Sequence, residues 1–223
     1  MAGMTNFRVC VLIPAFNEEK NIRRVVMAVR EKGYPVIVAD DGSRDSTVGE
    51  VRGLEGVWLL TADENEGKGA AIRRGVDFFL KKDFDGLILM DGDGQHDPEE
   101  LRLFVDALSN GTVDVALGNR MNNPVGMPFI RRLTNRFMSG LLSVVAGQKI
   151  ADSQCGYRAA TRRALAEILL KTDRFEIESE MLLEASRRGF KIGSVPIHSV
   201  YEGGKSEINP LKDTWRFFKF LCG

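Results

Sequence analysis

The chain is short of the residues from which many catalytic and metal sites are built. Its 223 residues include only two histidines, His96 and His198, and three cysteines. Two histidines do not easily make a zinc cluster or a Ser–His–Asp triad. Three scattered cysteines cannot form a disulfide framework, so we expect reduced cytosolic thiols. His96 stands beside Asp97 and is predicted to be a turn residue rather than a metal ligand.

The sequence also lacks an excess of either charge and any long apolar run. Its 31 basic and 31 acidic side chains cancel, which argues against a general nucleic-acid binder. It shows no signal-peptide pattern and no run of 18 apolar residues, so we expect a chain that does not span a membrane. No repeat, low-complexity tract or linker divides it, and its length is sufficient for one large domain with its own core.

What the sequence does contain is an alternation of strand and helix patterns. Apolar strand-like runs occupy 8–14, 36–39, 57–60, 87–90 and 113–118. Between them, apolar residues recur at helical spacing, first over about 18–31, where Asn17 is expected to cap the helix. This alternation predicts an α/β protein with a mostly parallel central sheet flanked by helices.

The most informative stretch follows the fourth strand-like run, where Asp91-Gly92-Asp93-Gly94-Gln95 succeeds Met90. Two carboxylates and an amide therefore lie just past the carboxyl end of a strand, where open α/β sheets bind ligands. The two carboxylates are two residues apart, so in an extended segment they point the same way, and the intervening glycine permits a tight bend. Hard oxygen ligands suit Mg²⁺ or Mn²⁺. A plain acidic turn is the alternative.

Between Asn119 and Arg163 the chain becomes basic. Eight Lys or Arg residues accompany a single acid, Asp152. This local excess indicates an anionic partner, with a solvated helix face as the alternative. For Arg162 and Arg163 the solvated face is the preferred interpretation.

Seven blocks of sequence, taken in order, resemble the family 2 glycosyltransferases of GT-A fold, and among them most closely the dolichyl- or polyprenyl-phosphate sugar synthases. The blocks read VLIPAFNEEKNI, VADDGSRDST, NEGKGAAIRRG, MDGDGQHDPEEL, GNRM, DSQCGYRAATR and FEIESEML. The resemblance implies a single GT-A domain over 1–223, which is a Rossmann-like nucleotide-diphospho-sugar transferase fold. Within it we expect a nucleotide-sugar-binding part at about 7–118, an acceptor-binding part at about 119–208 and a C-terminal amphipathic helix at about 209–221.

The resemblance implies a donor site. Its nucleotide pocket corresponds to Pro14, Phe16, Glu18 and Asp41, which would hold the base and ribose of a nucleotide-diphosphate sugar. The family often has Tyr where this chain has Phe16, so a hydroxyl contact is lost there. For Glu18 a first-turn acid favoured by the helix dipole is the alternative. Lys68, within Gly67-Lys68-Gly69, matches a block thought to line the donor site, and a helix-entry turn is its alternative.

The resemblance also implies a metal site. The family's ligands fall on Asp91, Asp93 and Gln95, with Asp93 as a catalytic residue, and the ion would be Mg²⁺ or Mn²⁺. It would bridge the diphosphate and offset charge developing on the leaving nucleotide diphosphate.

An acceptor-phosphate site is implied at Arg120, Arg131 and Asn135, with both arginines also counted as catalytic. A phosphate oxygen is already anionic at neutral pH, so inverting attack on the anomeric carbon needs no strong general base. If the acceptor is a hydroxyl, a base is required. The candidates for that base are Asp152, Glu178 and Glu180, and for Glu180 an exposed helix charge is the preferred interpretation.

The region after His198 departs from the resemblance. Dolichyl-phosphate mannose synthases commonly carry an arginine in this loop, whereas here Lys205 is expected to supply the charge on the donor phosphates. Further on, the segment 210–221 places aromatic and basic residues on adjacent helical faces, which suits peripheral contact with a membrane carrying anionic lipid. Docking of that segment on the protein's own core is the alternative.

These features together favour a metal-dependent inverting glycosyltransferase. It would move a sugar from a UDP- or GDP-linked donor to a polyprenyl or dolichyl phosphate, in the cytoplasm, at the cytosolic face of the membrane. One alternative is transfer to a glycan hydroxyl, and another is a non-catalytic nucleotide-sugar-binding module. A sugar-phosphate nucleotidyltransferase is less favoured, since its glycine-rich amino-terminal signature is absent.

Overall fold

A seven-stranded sheet forms the centre of the protein. The structure is a computed structural model and describes residues 7–124, 126–174 and 176–198. Lys205 and the predicted helix at 209–221 lie outside the described residues. The strands are β1 (Val9–Ala15), β2 (Val36–Asp40), β3 (Val57–Thr61), β4 (Gly86–Leu89), β5 (Val115–Asn119), β6 (Arg158–Thr161) and β7 (Ile192–Pro196).

The sheet is mostly parallel, as the alternation predicts. Its order is β3-β2-β1-β4-β6-β5-β7. All neighbouring strands pair in parallel except β6, which runs antiparallel to both β4 and β5. The first five strands match the predicted apolar runs. Four of them, β1, β2, β4 and β5, are buried and so require continuous apolar sequence, whereas β3 at the edge of the sheet is half-buried. No apolar run marks β6, which begins at the buried Arg158.

Helices cover the sheet and bring their apolar stripes onto it. They are α1 (Ile22–Glu31), α2 (Thr47–Val51), α3 (Lys68–Leu80), α4 (Leu101–Ser109), α5 (Phe129–Ala146), α6 (Arg162–Glu167) and α7 (Ile177–Arg187). A short 3₁₀ turn, Pro98–Glu100, precedes α4, and Asp97 caps it by accepting the Glu99 N–H. Within the described ranges, no helix is both long and apolar enough to cross a membrane.

The predicted cap of α1 is wrong. The helix begins at Ile22 rather than near residue 18, and Asn17 lies before it with φ of +55°. The side chain of Asn17 instead accepts the backbone N–H of Arg44 at 2.9 Å. Asparagine tolerates this left-handed conformation, so the residue joins the loop after β1 to the loop after β2.

The solvated-face interpretation is also wrong for Arg162. Its guanidinium donates to the backbone carbonyls of Phe84 (2.6 Å), Leu80 (3.0 Å) and Phe79 (3.3 Å), and so binds carbonyls at and just after the end of α3. Arg163 is exposed, as predicted, and pairs with Asp114 at 2.7 Å.

Two of the cysteines are free and buried. Burial raises the pKa of Cys10 and of Cys155 to about 12. Thiols with so high a pKa are inert, as expected for reduced structural cysteines.

Candidate functional site

The polar residues predicted from the sequence gather at one edge of the sheet. Parallel strands end at the same edge, and β2, β4 and β5 are followed there by Asp41, Asp91 and Arg120. This is the edge at which open α/β sheets bind ligands.

Lys68 connects the first half of the chain to the second at this edge. Its ammonium lies 2.7 Å from Asp91 Oδ1 and 2.7 Å from Glu178 Oε1. Asp91 follows β4, whereas Glu178 lies in the first turn of α7, 110 residues along the chain from Lys68. The helix-entry alternative for Lys68 therefore describes only its backbone, because its side chain is part of a charged network.

The charges of this network reinforce one another. Burial by itself lowers the pKa of Lys68, but the carboxylates of Asp91 and Glu178 outweigh burial and raise that pKa. Burial by itself raises the pKa of Asp91, but the charges of Lys68 and His96 and their hydrogen bonds hold it far below its usual range. Lys68 thus stays protonated and Asp91 stays ionised at neutral pH.

His96 is more than the turn residue predicted from the sequence. It is buried, its Nε2 lies 3.6 Å from Asp91 Oδ2, and its ring packs on Tyr157 with centroids 4.9 Å apart. The sequence around His96 does not predict its ring contact with Tyr157, because the two residues are far apart in the chain.

Gly156 also contributes to the position of Asp91. A Cβ at Gly156 would lie 2.1 Å from Asp91 Oδ2. Only glycine leaves room for the carboxylate in its observed position, so Gly156 joins the site although sequence reasoning did not single it out.

The other predicted metal ligands lie on the same loop. Asp93 Oδ1 accepts the backbone N–H of Gln95 at 2.9 Å, which folds the loop tightly after Asp91. Among the residues that the structure describes, no group of three or more His, Cys, Asp or Glu side chains could hold a metal ion. The donor set of two carboxylates and an amide fits a hard cation that takes its remaining ligands from water and from substrate phosphates.

Asp41 has an internal role in addition to its predicted one. It is buried, its Oδ1 accepts the Glu66 N–H at 3.1 Å and its Oδ2 accepts the Gly67 N–H at 2.8 Å. Arg74 approaches the same carboxylate at 3.7 Å. Asp41 therefore holds the loop that leads into α3 and Lys68.

The remaining predicted donor residues lie on the loops beside Asp41. Pro14 is near the end of β1, and the ring of Phe16 is 42% exposed, which leaves it available to pack on a flat base. Glu18 is anchored through its backbone N–H, which donates to Thr47 Oγ1 at 2.7 Å. Asp40, interpreted as structural, accepts the Ser43 N–H at 3.1 Å.

Two of the three predicted acceptor residues, Arg120 and Asn135, form a buried cluster around Asp152. Arg120 grips this carboxylate with Nε at 2.7 Å and Nη2 at 2.8 Å, and its backbone N–H also donates to Oδ2 at 3.1 Å. The Asn135 amide donates to Asp152 Oδ1 at 2.6 Å. Arg131 lies one helical turn before Asn135 in α5 and is half-buried.

The position of Asp152 bears on its candidacy as a base. Burial by itself raises the pKa of Asp152, but Arg120 and Asn135 together lower it. The side chain is 0% exposed. A carboxylate that is enclosed, paired and stabilised in its charged form is a poor proton acceptor.

The exposed-charge interpretation of Glu180 is wrong. The residue is buried, and its carboxylate accepts the backbone N–H groups of Lys171 (3.0 Å) and Thr172 (2.9 Å) and the Thr172 hydroxyl (2.8 Å). Unpaired loop amides are therefore satisfied by this glutamate. Nothing in the helical spacing of α7 indicates this, because the partners precede the helix.

Glu178 is likewise not an exposed helix charge. Its side chain is mostly buried, contacts Lys68 and lies 3.6 Å from Arg158 Nη2. Arg158 is buried as well and donates to the backbone carbonyls of Glu178, Ser153 and Cys155. Sequence reasoning missed Arg158 because one arginine in a basic stretch has no distinguishing pattern.

Comparison with known proteins agrees with this architecture. Residues 10–169 match the model of the family described as Glycosyl transferase family 2. The chain is 30% identical to the UDP-N-acetylglucosamine–dolichyl-phosphate N-acetylglucosaminyltransferase of Methanococcus voltae, over 89% of this chain and 88% of that protein. It is also 30% identical to the polyprenol monophosphomannose synthase of Mycolicibacterium smegmatis, over 85% of this chain and 76% of that protein.

A solved structure shares the fold. The glucosyl-3-phosphoglycerate synthase of Mycobacterium tuberculosis, crystallised with Mn²⁺, uridine diphosphate and phosphoglyceric acid, superposes with a TM-score of 0.73 at 18% identity, covering 96% of this chain and 75% of that chain. At this identity the likeness concerns the fold alone. The family match, the sequence relatives and the seven-stranded sheet lead to one conclusion: the chain is a glycosyltransferase of GT-A fold and belongs to glycosyl transferase family 2.

Proposed function

We propose that the protein transfers a sugar, with inversion, from a nucleotide-diphosphate sugar to a polyprenyl or dolichyl phosphate, with Mg²⁺ or Mn²⁺ as cofactor. The donor nucleotide is UDP or GDP, and the protein works at the cytosolic face of a membrane. Relatives named for dolichyl phosphate and polyprenol support this acceptor class.

One observation carries the choice of a phosphate acceptor: every acid that was a candidate base is already engaged. Asp152 is enclosed by Arg120 and Asn135, Glu178 is paired with Lys68, and Glu180 accepts loop amides. A hydroxyl acceptor requires deprotonation, whereas a phosphate oxygen is already anionic and attacks without a base.

The basic cluster suits the acceptor phosphate in charge and geometry. The Arg120–Asp152 pair is neutral as a unit, and Arg131, one helical turn before Asn135, is a second guanidinium on the helix that borders this cluster. A guanidinium can present two parallel N–H donors to phosphate oxygens. We assign Arg131 the main contact with the acceptor phosphate, while Arg120 and Asn135, locked by Asp152, define the wall of that pocket.

The donor is proposed to occupy the edge above β1, β2 and β4. Pro14, Phe16, Glu18 and Asp41 would hold base and ribose. A cavity of about 470 Å³ beside Asp41 supports this position, and it is lined by Thr61, Ala62, Asp63, Glu64, Glu66 and Arg74. Lys68 is proposed to contact the donor phosphates from the opposite side, and Lys205, outside the described residues, to add a second positive charge.

The metal is proposed to lie at Asp91, Asp93 and Gln95. When bound, the cation would offset the charge that develops on the leaving nucleotide diphosphate. Structural neighbours crystallised with Mn²⁺ and uridine diphosphate support a divalent cation. In the chain itself, Lys68 and His96 keep Asp91 ionised and in place, so the carboxylate is ready to bind an ion without first losing a proton.

Arg131→Ala tests the acceptor class. For a phosphate acceptor, the apparent KM for polyprenyl phosphate should rise roughly ten- to hundred-fold, because a charge-assisted contact of about 1.5 to 3 kcal/mol is lost. Donor affinity and hydrolysis of the donor by water should stay nearly unchanged. Arg131→Lys should restore only part of the loss, since an ammonium cannot reproduce the two-point contact.

Arg163→Ala is the matched control, because this exposed arginine lies in the same basic stretch and pairs only weakly at the surface. Equal disturbance of donor and acceptor kinetics by Arg131→Ala would assign the arginine to the diphosphate site. No disturbance of either would favour transfer to a glycan hydroxyl, and no turnover with any donor would favour the non-catalytic module.

A further inference from the structure

Helix α5 has two faces that carry apolar residues, and only one of them is buried in the part of the protein that the structure describes. The face toward the protein buries Asn135, Met138, Ser139 and Leu142. The opposite face also carries large apolar side chains, and these are exposed.

The outer face is a continuous apolar stripe. Ile130, Leu133, Phe137 and Val144 follow one another at intervals of three, four and seven residues, which places them on one side of a helix. Their exposed fractions run from 59% for Phe137 to 81% for Val144. Phe129, at the first position of α5, is 76% exposed and extends the stripe at its amino-terminal end. We call these five residues the α5 stripe.

The helix that carries the stripe has basic side chains and no acidic one. The sequence of α5 contains Arg131, Arg132 and Arg136 and no acidic residue. Arg136 is exposed and lies one position before Phe137, beside the stripe. The single acid of the whole basic stretch, Asp152, is buried against Arg120. An apolar stripe edged by arginine complements a surface that is apolar inside and anionic outside.

The length and composition of α5 determine how it would meet such a surface. Its 18 residues span about 27 Å, but the three arginines and the buried polar residues on the inner face prevent it from crossing a bilayer. A helix with one apolar face and one polar or buried face lies in the plane of the interface.

We infer that the α5 stripe docks the protein on a lipid bilayer that carries anionic headgroups, with α5 parallel to the membrane plane. Exposed apolar patches mark interaction surfaces, and the exposed Arg136 beside this one favours anionic lipid over a neutral surface. This inference stands on exposure and charge, and it does not depend on the segment 209–221.

The docked orientation deepens the proposed function and, in that respect, rests on it. Arg131 and Asn135 belong to the same helix as the stripe and lie on its other side. With the stripe in the headgroup layer, the proposed acceptor-phosphate pocket would lie at the depth of lipid phosphates. A polyprenyl phosphate could then present its phosphate without its tail leaving the bilayer.

The experiment measures vesicle binding of the full chain without donor, acceptor or metal. Flotation with vesicles of phosphatidylcholine, alone and mixed with phosphatidylglycerol, gives the partition coefficient. We expect binding to the mixed vesicles that weakens as salt is added. The variant Leu133→Gln/Phe137→Gln should reduce the partition coefficient roughly tenfold or more, since two apolar side chains no longer enter the interface.

The matched control is Leu103→Gln/Leu169→Gln, which removes two exposed leucines far from α5 in sequence and should leave vesicle binding unchanged. Glutamine preserves helix propensity, and an unchanged circular dichroism spectrum with unchanged donor hydrolysis confirms the fold of both variants. Arg136→Gln should weaken binding to the mixed vesicles and leave the remaining binding less sensitive to salt.

Three results would overturn the inference. In the first, the variant Leu133→Gln/Phe137→Gln binds vesicles with the same partition coefficient as the parent chain, whereas Trp215→Gln/Phe218→Gln no longer binds. This result would assign the membrane contact to the segment 209–221. In the second, sedimentation shows that the parent chain is a dimer and that the variant Leu133→Gln/Phe137→Gln is a monomer. This result would make the α5 stripe a contact between two copies of the chain. The parent chain could bind neither kind of vesicle, which excludes the bilayer. Because no acceptor is present, each result is independent of the Arg131 test.

Discussion

At the scale of single residues, Lys68 provides the positive charge that lies between two carboxylates of the candidate site. Its ammonium forms an ion pair with both Asp91 and Glu178, which reduces the repulsion between the two carboxylates. Removing one member of such a partly buried network leaves an uncompensated charge, which costs more than the pair itself contributes. The same ammonium is a fixed positive group near the place where we propose the donor phosphates lie.

The substitution Asp93→Ala tests the metal assignment. We expect loss of metal-dependent donor turnover with an unchanged circular dichroism spectrum, because the side chain lies on a loop and its hydrogen bond is to the backbone N–H of Gln95 in that same loop. Asp106→Ala, which removes an exposed acid of α4, is the control and should remain active. Full turnover by the Asp93 variant would remove this residue from the metal site.

Asp41→Asn separates the internal role of this residue from its proposed role in donor binding. Asparagine keeps one acceptor oxygen and places an N–H₂ group against a backbone N–H of Glu66 or Gly67, so stability should fall by about 1 to 3 kcal/mol. Affinity for the nucleotide diphosphate should fall as well, roughly ten- to hundred-fold. Urea unfolding and calorimetry measure the two effects. Lower stability with unchanged affinity would make Asp41 a support for the loop before α3 and nothing more.

At the scale of secondary-structure elements, the contact between α3 and the segment before α7 joins the two halves of the site. The N–H groups of Gly69 and Ala70 donate to the carbonyl of Asp173, and a Cβ at Gly69 would lie 2.4 Å from the Thr172 carbonyl oxygen. Glycine is therefore required where the first turn of α3 meets backbone. Glu180 holds the same segment from the α7 side.

Glu180→Gln should weaken this junction. One carboxylate oxygen that accepts N–H groups becomes an N–H₂ group, so we expect the free energy of unfolding to fall by about 1.5 to 3 kcal/mol in urea titrations. Glu184→Gln, one turn further along α7, weakens pairs with Arg187 and Arg188 but affects no hydrogen bond to a loop amide, so it should cost less than Glu180→Gln. Equal stability of the two variants would show that the loop amides are satisfied in another way.

At the scale of the whole molecule, stability should depend on acid because two mostly or fully buried aspartates remain ionised in the folded state. The pKa values of Asp91 and Asp152 both lie below the ordinary value of 3.8. Since the folded-state pKa is depressed, the stabilisation is fully present above the ordinary value. It is lost as pH falls through and below that value, where the unfolded chain binds the protons more readily.

Urea titrations between about pH 5 and pH 2 measure this dependence. We expect the free energy of unfolding to fall steeply over that range in the parent chain, and less steeply in Asp152→Asn, whose starting stability is lower. A pH dependence identical in the two proteins would show that Asp152 is not ionised in the folded state.

Much of the fold follows from local pattern. The buried strands β1, β2 and β4 each require a continuous apolar run, and each run is visible in the sequence. The acids that follow β2 and β4 are predictable as well, because Asp and Gly directly after an apolar run indicate the end of a strand at the edge of the sheet. Family resemblance then located the metal and acceptor candidates.

Sequence by itself therefore determined the class of fold and the family to which the chain belongs, and it predicted the edge of the sheet at which the candidate site lies. The tertiary structure alone decided which charges meet. Lys68 reaches Glu178 across 110 residues, and Asp152 is closed by Arg120 across 32. It also decided which apolar face of α5 is covered, since both faces look alike in the sequence. The physical reason is that periodicity reports local geometry, whereas burial and ion pairing depend on segments that only folding brings together.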